Sequence, residues 1–167
     1  MGTRQPEVRE VKEVPIMRVE ESIVINRTPD DVFAFFQKRS NDRRWMGSVV
    51  ESEWLDAAAP TSVGRRGRMI MNVMGRREFT DEVTEYEPGR KVAHRSVSGR
   101  MVINTSCRAE PAGKGCRATV TYEPERLPGG FVGRLLAPLT APRIHRDFKA
   151  DLDRLRNILE EEQTGEG

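Results

Sequence analysis

Apolar and polar positions first alternate along the stretch from Met17 to Asn26, where Val19, Ile23 and Ile25 fall on one face of an extended chain. This pattern predicts a strand with one buried face. Thr28 then offers an N-cap hydroxyl, Pro29 suits the first helical position and Asp31 places a carboxylate at the third, so a short helix should begin there. Val32, Phe33 and Phe36 recur at helical spacing, and Ser40-Asn41-Asp42 supplies a second cap before Trp45 and Met46. From about Val49 to Glu125 the pattern turns to strands broken by turn residues around Pro60, Gly75, Pro88-Gly89, Ser98-Gly99 and Ala112-Gly113. That spacing predicts an antiparallel meander of about six strands. From Gly130 onward the period becomes helical: Ile144, Phe148, Leu152, Leu155 and Leu159 form one apolar stripe. Pro138 and Pro142 each remove a helical hydrogen bond, so a kink or a separate short helix is expected there.

The predicted fold class is therefore α+β: a curved antiparallel sheet of about seven strands gripping a long C-terminal helix, with two short helices after the first strand. A curved sheet cannot touch a straight helix along its whole length, so one end should leave a cavity. At 167 residues the chain suits one domain. We expect a flexible arm over residues 1–16, the folded domain over 17–161 and a flexible tail over 162–167.

Composition narrows the function classes. No apolar run is long enough for a membrane span, and the N-terminus has neither a secretion signal nor a myristoylation pattern, which points to a cytoplasmic protein without membrane insertion. Cys107 and Cys116 are too few for a disulfide framework and read as reduced core thiols. Arginine makes up 23 of the 28 basic residues, but 26 acids bring the formal charge to only +2, so clusters such as Arg65-Arg66 and Arg76-Arg77 read as a solvated sheet surface and no nucleic-acid partner is expected. Oligomeric state is not readable.

The element order, together with Thr28-Pro29-Asp30-Asp31-Val32-Phe33, Trp45, the run from Val83 to Pro88 and the hairpin from Glu110 to Gly115, resembles the SRPBCC superfamily, the START-like helix-grip fold, and most closely its polyketide cyclase/dehydrase branch. The likeness covers about residues 17–160. It implies a cavity between sheet and final helix for a lipid-like, aromatic or polyketide-like molecule. Some members only bind, whereas others catalyse. Three roles follow: a ligand-binding protein, a cofactor-independent polyketide cyclase, aromatase or dehydratase, or a natural-product sequestration or self-resistance protein.

Candidate chemistry centres on two strands. Alternation places Val92, His94 and Ser96 on one face, and His94 is either a proton-transfer group near neutral pH or a core histidine satisfied by a neighbour. Asp81 shares a face with Phe79 and Val83; turned inward it requires His94 or an arginine as partner, whereas a bulge would turn it to solvent. His145 lies at the border of the final stripe. Two isolated histidines do not make a metal site, no phosphate-binding loop or local nucleophile motif occurs, and no cofactor is expected. Met69, Met71, Met74, Met101, Ile103 and Thr105 suit either a pocket wall or an ordinary core. Trp45, Trp54, Tyr122 and Phe148 are further wall candidates. The glycine-rich entry to the last helix reads as a gate carrying Phe131, Leu135, Leu136 and Leu139.

Overall fold

A computed structural model describes residues 16–73, 75–98, 101–126 and 129–164. Strand β1 (Val19–Ile25) is followed by helix α1 (Pro29–Gln37), a 3₁₀ turn (Arg39–Asn41) and the one-turn helix α2 (Asp42–Trp45). The meander then runs through β2 (Val49–Trp54), β3 (Arg66–Asn72), β4 (Arg76–Glu87), β5 (Lys91–Ser96), β6 (Val102–Ala112) and β7 (Gly115–Arg126), and α3 (Gly130–Thr164) closes the chain. All seven strands form one antiparallel sheet in the order β1-β7-β6-β5-β4-β3-β2. The two strands that flank α1 and α2 in sequence thus occupy opposite edges, and their connection crosses the open side of the curled sheet.

Local chemistry explains the element ends. Thr28 Oγ1 accepts the Asp31 backbone N–H at 3.2 Å, which is the expected cap of α1. Asn41 does not cap α2; its Nδ2 donates 3.1 Å to Phe35 O, which also accepts from Lys38 N at 3.3 Å, so the end of α1 is tied to the 3₁₀ turn. In the β6–β7 hairpin, Ala112 pairs with Gly115, and Gly113 adopts φ +60, a conformation the two-residue turn requires.

The core is one cluster in which Val32, Phe33, Phe35 and Phe36 of α1 meet Val83, Val92, Ala109 and Ala118 of the sheet and Leu152, Leu155 and Leu159 of α3. Full burial of a side chain such as Leu155 is worth about 1.5–3 kcal/mol. The prolines do not divide α3 into separate helices. Pro138 and Pro142 are four residues apart and both exposed, so their rings and the unbonded carbonyls they leave lie on one solvent-facing row. The helix continues to Thr164, past the expected boundary at 161, and residues 1–15 and 165–167 of the expected terminal arms lie outside the described residues. Among the described residues no helix is long and apolar enough to cross a membrane.

Candidate functional site

The inner face of the sheet, α1, α2 and the middle of α3 line a cavity of about 210 Å³. Met69 and Met71 of β3 and Phe79 of β4 form one side. Ile103 and Thr105 of β6, Tyr122 of β7, Trp45 and Phe148 complete the expected residues that line it. Tyr122 and Phe148 meet edge to face, with ring centroids 5.9 Å apart. Cys116 is fully buried in the core; Cys107 reaches the wall, where burial pushes its thiol up to about 12, so it stays protonated.

One corner of this apolar space is polar. Asp81 pairs across β4–β5 with Ser96, and Val83 with His94, so Asp81 and His94 are diagonal neighbours on the inner face. His94 Nδ1 lies 2.9 Å from Asp81 Oδ2, off the axis of an aligned hydrogen bond. Nε2 is therefore the ring nitrogen left to the cavity. Ser96 Oγ is occupied, donating to Met101 O at 2.9 Å and accepting from Ile103 N at 3.0 Å.

The sequence reading missed the residue that organises the corner. Arg39, only 6% exposed, reaches from the 3₁₀ turn to pair with Asp81, comes within 3.9 Å of Asp42 Oδ2 and donates 3.4 Å to Ser52 Oγ. Its guanidinium lies over Trp54, 4.5 Å from the ring centroid, and Trp54 also stands 6.1 Å from the His94 ring. Ser52 Oγ donates to Asp42 Oδ2 at 2.6 Å. A signal was present in Gly67: a Cβ there would collide with the Arg39 guanidinium, and a glycine inside a strand marks such a close approach.

Charge states follow from the surroundings. Burial works to raise the Asp81 carboxyl, but His94 and Arg39 outweigh it and hold the group below its ordinary value, hence ionised. Burial, helped by Arg39, lowers His94 against the pull of Asp81, so the imidazole is neutral at neutral pH. Burial pushes Asp42 up to about 6 against the Ser52 hydrogen bond and Arg39, and Asp81 adds to the rise. On the opposite wall, Asp151 is raised by burial despite accepting from Gly47 N at 3.0 Å and pairing with Arg154.

Other expected residues fall elsewhere. Met101 precedes β6, where a register shift between Val102 and Ile103 takes it out of the lining, and Met74 lies outside the described residues. Phe131, Leu135, Leu136 and Leu139 do not face the cavity: Ala137 marks the inward side of that part of α3, and these four stand on its outer surface, Phe131 81% exposed. His145 Nδ1 lies 2.6 Å from Glu21 Oε1, linking α3 to β1 away from the cavity. No cluster of His, Cys, Asp and Glu suited to a metal occurs among the described residues.

A curled seven-stranded sheet closed by a long final helix around a cavity defines a helix-grip protein. Residues 17–160 match the family described as polyketide cyclase / dehydrase and lipid transport, and the chain belongs to it. Its fold is similar to that of a Thermus thermophilus protein (TM-score 0.70, 19% identity, 86% of this chain and 97% of that one). It is also similar to the Zhui aromatase/cyclase of Streptomyces sp. R1128 (0.68, 16%, 86% and 93%). A third similar structure is the di-domain aromatase/cyclase StfQ of the steffimycin biosynthetic pathway (0.71, 11%), with 92% of this chain and 54% of that one covered. No curated protein sequence matches the chain significantly.

Proposed function

We propose that the protein binds a small aromatic or otherwise hydrophobic molecule between the sheet and α3. The observation that carries this reading is a mostly apolar cavity of about 210 Å³ with a polar corner at Asp81 and His94. Apolar wall supplies the binding energy, and a few placed polar groups orient what binds. An apolar cavity of about 150 Å³ holds benzene, so this one suits a substituted ring or two fused rings, or the folded end of a longer chain. The aromatase/cyclases of similar fold point the same way. Native mass spectrometry of the purified protein, followed by release and identification of any bound molecule, together with titration of 2-naphthol by quenching of tryptophan emission, tests it. A stoichiometric adduct, or saturable quenching reporting on Trp45 at the wall, supports the reading. A clean apo mass together with no saturation would sink it.

A second reading rests on one further observation, His94 set 2.9 Å from Asp81 at the cavity wall, where burial lowers the imidazole and favours its neutral form. In it the protein is a cyclase or dehydratase of a polyketide-like chain that works without a cofactor. His94 Nε2 takes a proton from the carbon beside a carbonyl, the electron pair forms the new C=C, and the departing β-hydroxyl leaves as water with a proton from Asp42. His94→Ala then abolishes turnover while ligand binding survives with a modest change. Loss of both together would favour a purely structural histidine.

A further inference from the structure

The cavity proposed above also carries information about the charge of its occupant. Among the described residues, Arg39 is the only ionisable side chain of the lining that carries positive charge, since His94 is neutral, and it faces three carboxyls: Asp42, Asp81 and Asp151. Arg39 is already paired to Asp81 and lies 3.9 Å from Asp42, while its buried Nε has no hydrogen-bond partner. Asp151 has its own partner in Arg154, outside the lining. Tyr122 and Cys107, also at the wall, are kept neutral by burial. An anionic ligand would therefore meet one cation already shared between two carboxyls, and would face Asp42 and Asp151 across a low-dielectric space.

Hydrogen-bonding valence leads to the same class. The corner turns the His94 ring and the Asp42 carboxyl toward the cavity, while His94 Nδ1 faces Asp81 Oδ2 at 2.9 Å. The neutral ring with its proton on Nδ1 presents Nε2 as an acceptor. One strand further, Thr105 lies directly opposite His94 in the sheet, and Tyr122 lies opposite Thr105. These three side chains make a row across β5, β6 and β7 at about 4.8 Å per strand, and both hydroxyls can donate or accept. A hydroxyl on the ligand donates to Nε2 and accepts from the row; a carboxylate can only accept, and leaves Nε2 unsatisfied.

We infer that the cavity takes its ligand as an uncharged, hydrogen-bond-donating molecule, a phenol, enol or alcohol on an apolar skeleton, and turns carboxylates away. The inference rests on the cavity reading and names the chemistry of its occupant.

The test compares 2-naphthol with 2-naphthoate, two probes of nearly equal shape, by calorimetry of the full chain at pH 7.5. We expect 2-naphthol to bind at least about tenfold more tightly, since opposing like charges in a desolvated site costs more than one hydrogen bond returns. Asp42→Asn should narrow that gap; should this variant fail to fold, Asp151→Asn, on the opposite wall, should narrow it too. His94→Phe should weaken 2-naphthol and leave 2-naphthoate unchanged. Equal or tighter binding of 2-naphthoate would overturn the inference and leave the cavity reading standing. Binding of neither probe would overturn the cavity reading, and the inference with it.

Discussion

Arg39 and Arg68 meet carboxylates on opposite sides of the same strand. Arg68, on β3, stands on the outer face and reaches Glu53 at 2.9 Å and Glu51 and Glu78 at 3.6 Å each. Arg39 arrives at the inner face beside Gly67, the residue immediately before Arg68, and pairs with Asp81 where water does not reach. By number of carboxylates Arg68 is the richer site, with three against two. In solvent, however, each of its pairs exchanges hydration for a weak, screened attraction. Behind the wall, loss of one partner strands the other in a medium that cannot solvate it. Burial, rather than the number of contacts, decides which arginine the fold depends on.

The largest effect is expected from Arg39→Met. Asp81 and Asp42 would then be buried without their cation, and urea unfolding should show a loss of about 3–5 kcal/mol. Adding Asp81→Leu should return part of it, since both charges then leave together. If Arg39→Met alone costs less than about 1 kcal/mol, the corner is far wetter than its geometry implies.

A smaller effect concerns pH. Asp42 has a folded value of about 6, raised above the ordinary carboxylate value of about 3.9, so between these limits the folded state holds more protons than the unfolded one. Its contribution is full below about pH 4 and falls as pH rises through about 6, by on the order of 3 kcal/mol. His94 acts oppositely: its folded value is depressed, so it costs stability as pH falls below about 6.5. Denaturant titrations of Asp42→Asn between pH 4 and 7 should lose the first slope and leave the second exposed, with stability rising with pH. An unchanged profile would mean that Asp42 titrates normally.

The smallest effect belongs to the outer face. Arg68→Ala should leave the urea midpoint unchanged within error at moderate salt. A shift approaching that of Arg39→Met would mean that the glutamates around Arg68 form a cooperative network.

The same pair of arginines shows what can be read from the chain alone. Alternation brings Asp81 and His94 to one face because β4 and β5 pair regularly from Asp81 to Val83 and the register shift comes only after Val83. Thr28 and the final stripe are equally local signals, each set by neighbours within one or two turns. Arg39 is different: its partner lies 42 residues away, and an arginine after a short helix has the local appearance of a solvated group. Only Gly67, an unfilled place between two arginines in a strand, hinted at it. The outward position of Phe131, Leu135, Leu136 and Leu139 escaped for a related reason, since a helix with apolar residues on two sides does not declare which side the sheet takes. Ala137, small enough to lie close to the sheet, marks the inner one.

The placement of β1 has a further consequence, in the order of events by which the chain reaches this shape. Strands β2 to β7 each pair with the next in sequence, and those from β3 onward are joined by short connections, whereas β1 waits for β7, with Val19 opposite Tyr122. Closing so long a loop costs entropy that only the finished contact repays, so folding should be slow for the chain's size and β1 should be among the last strands to dock. Until it docks, α3 lacks the strand against which much of it packs. A folding intermediate would thus hold the meander, with Asp81 and His94 already side by side, before the chamber closes over them.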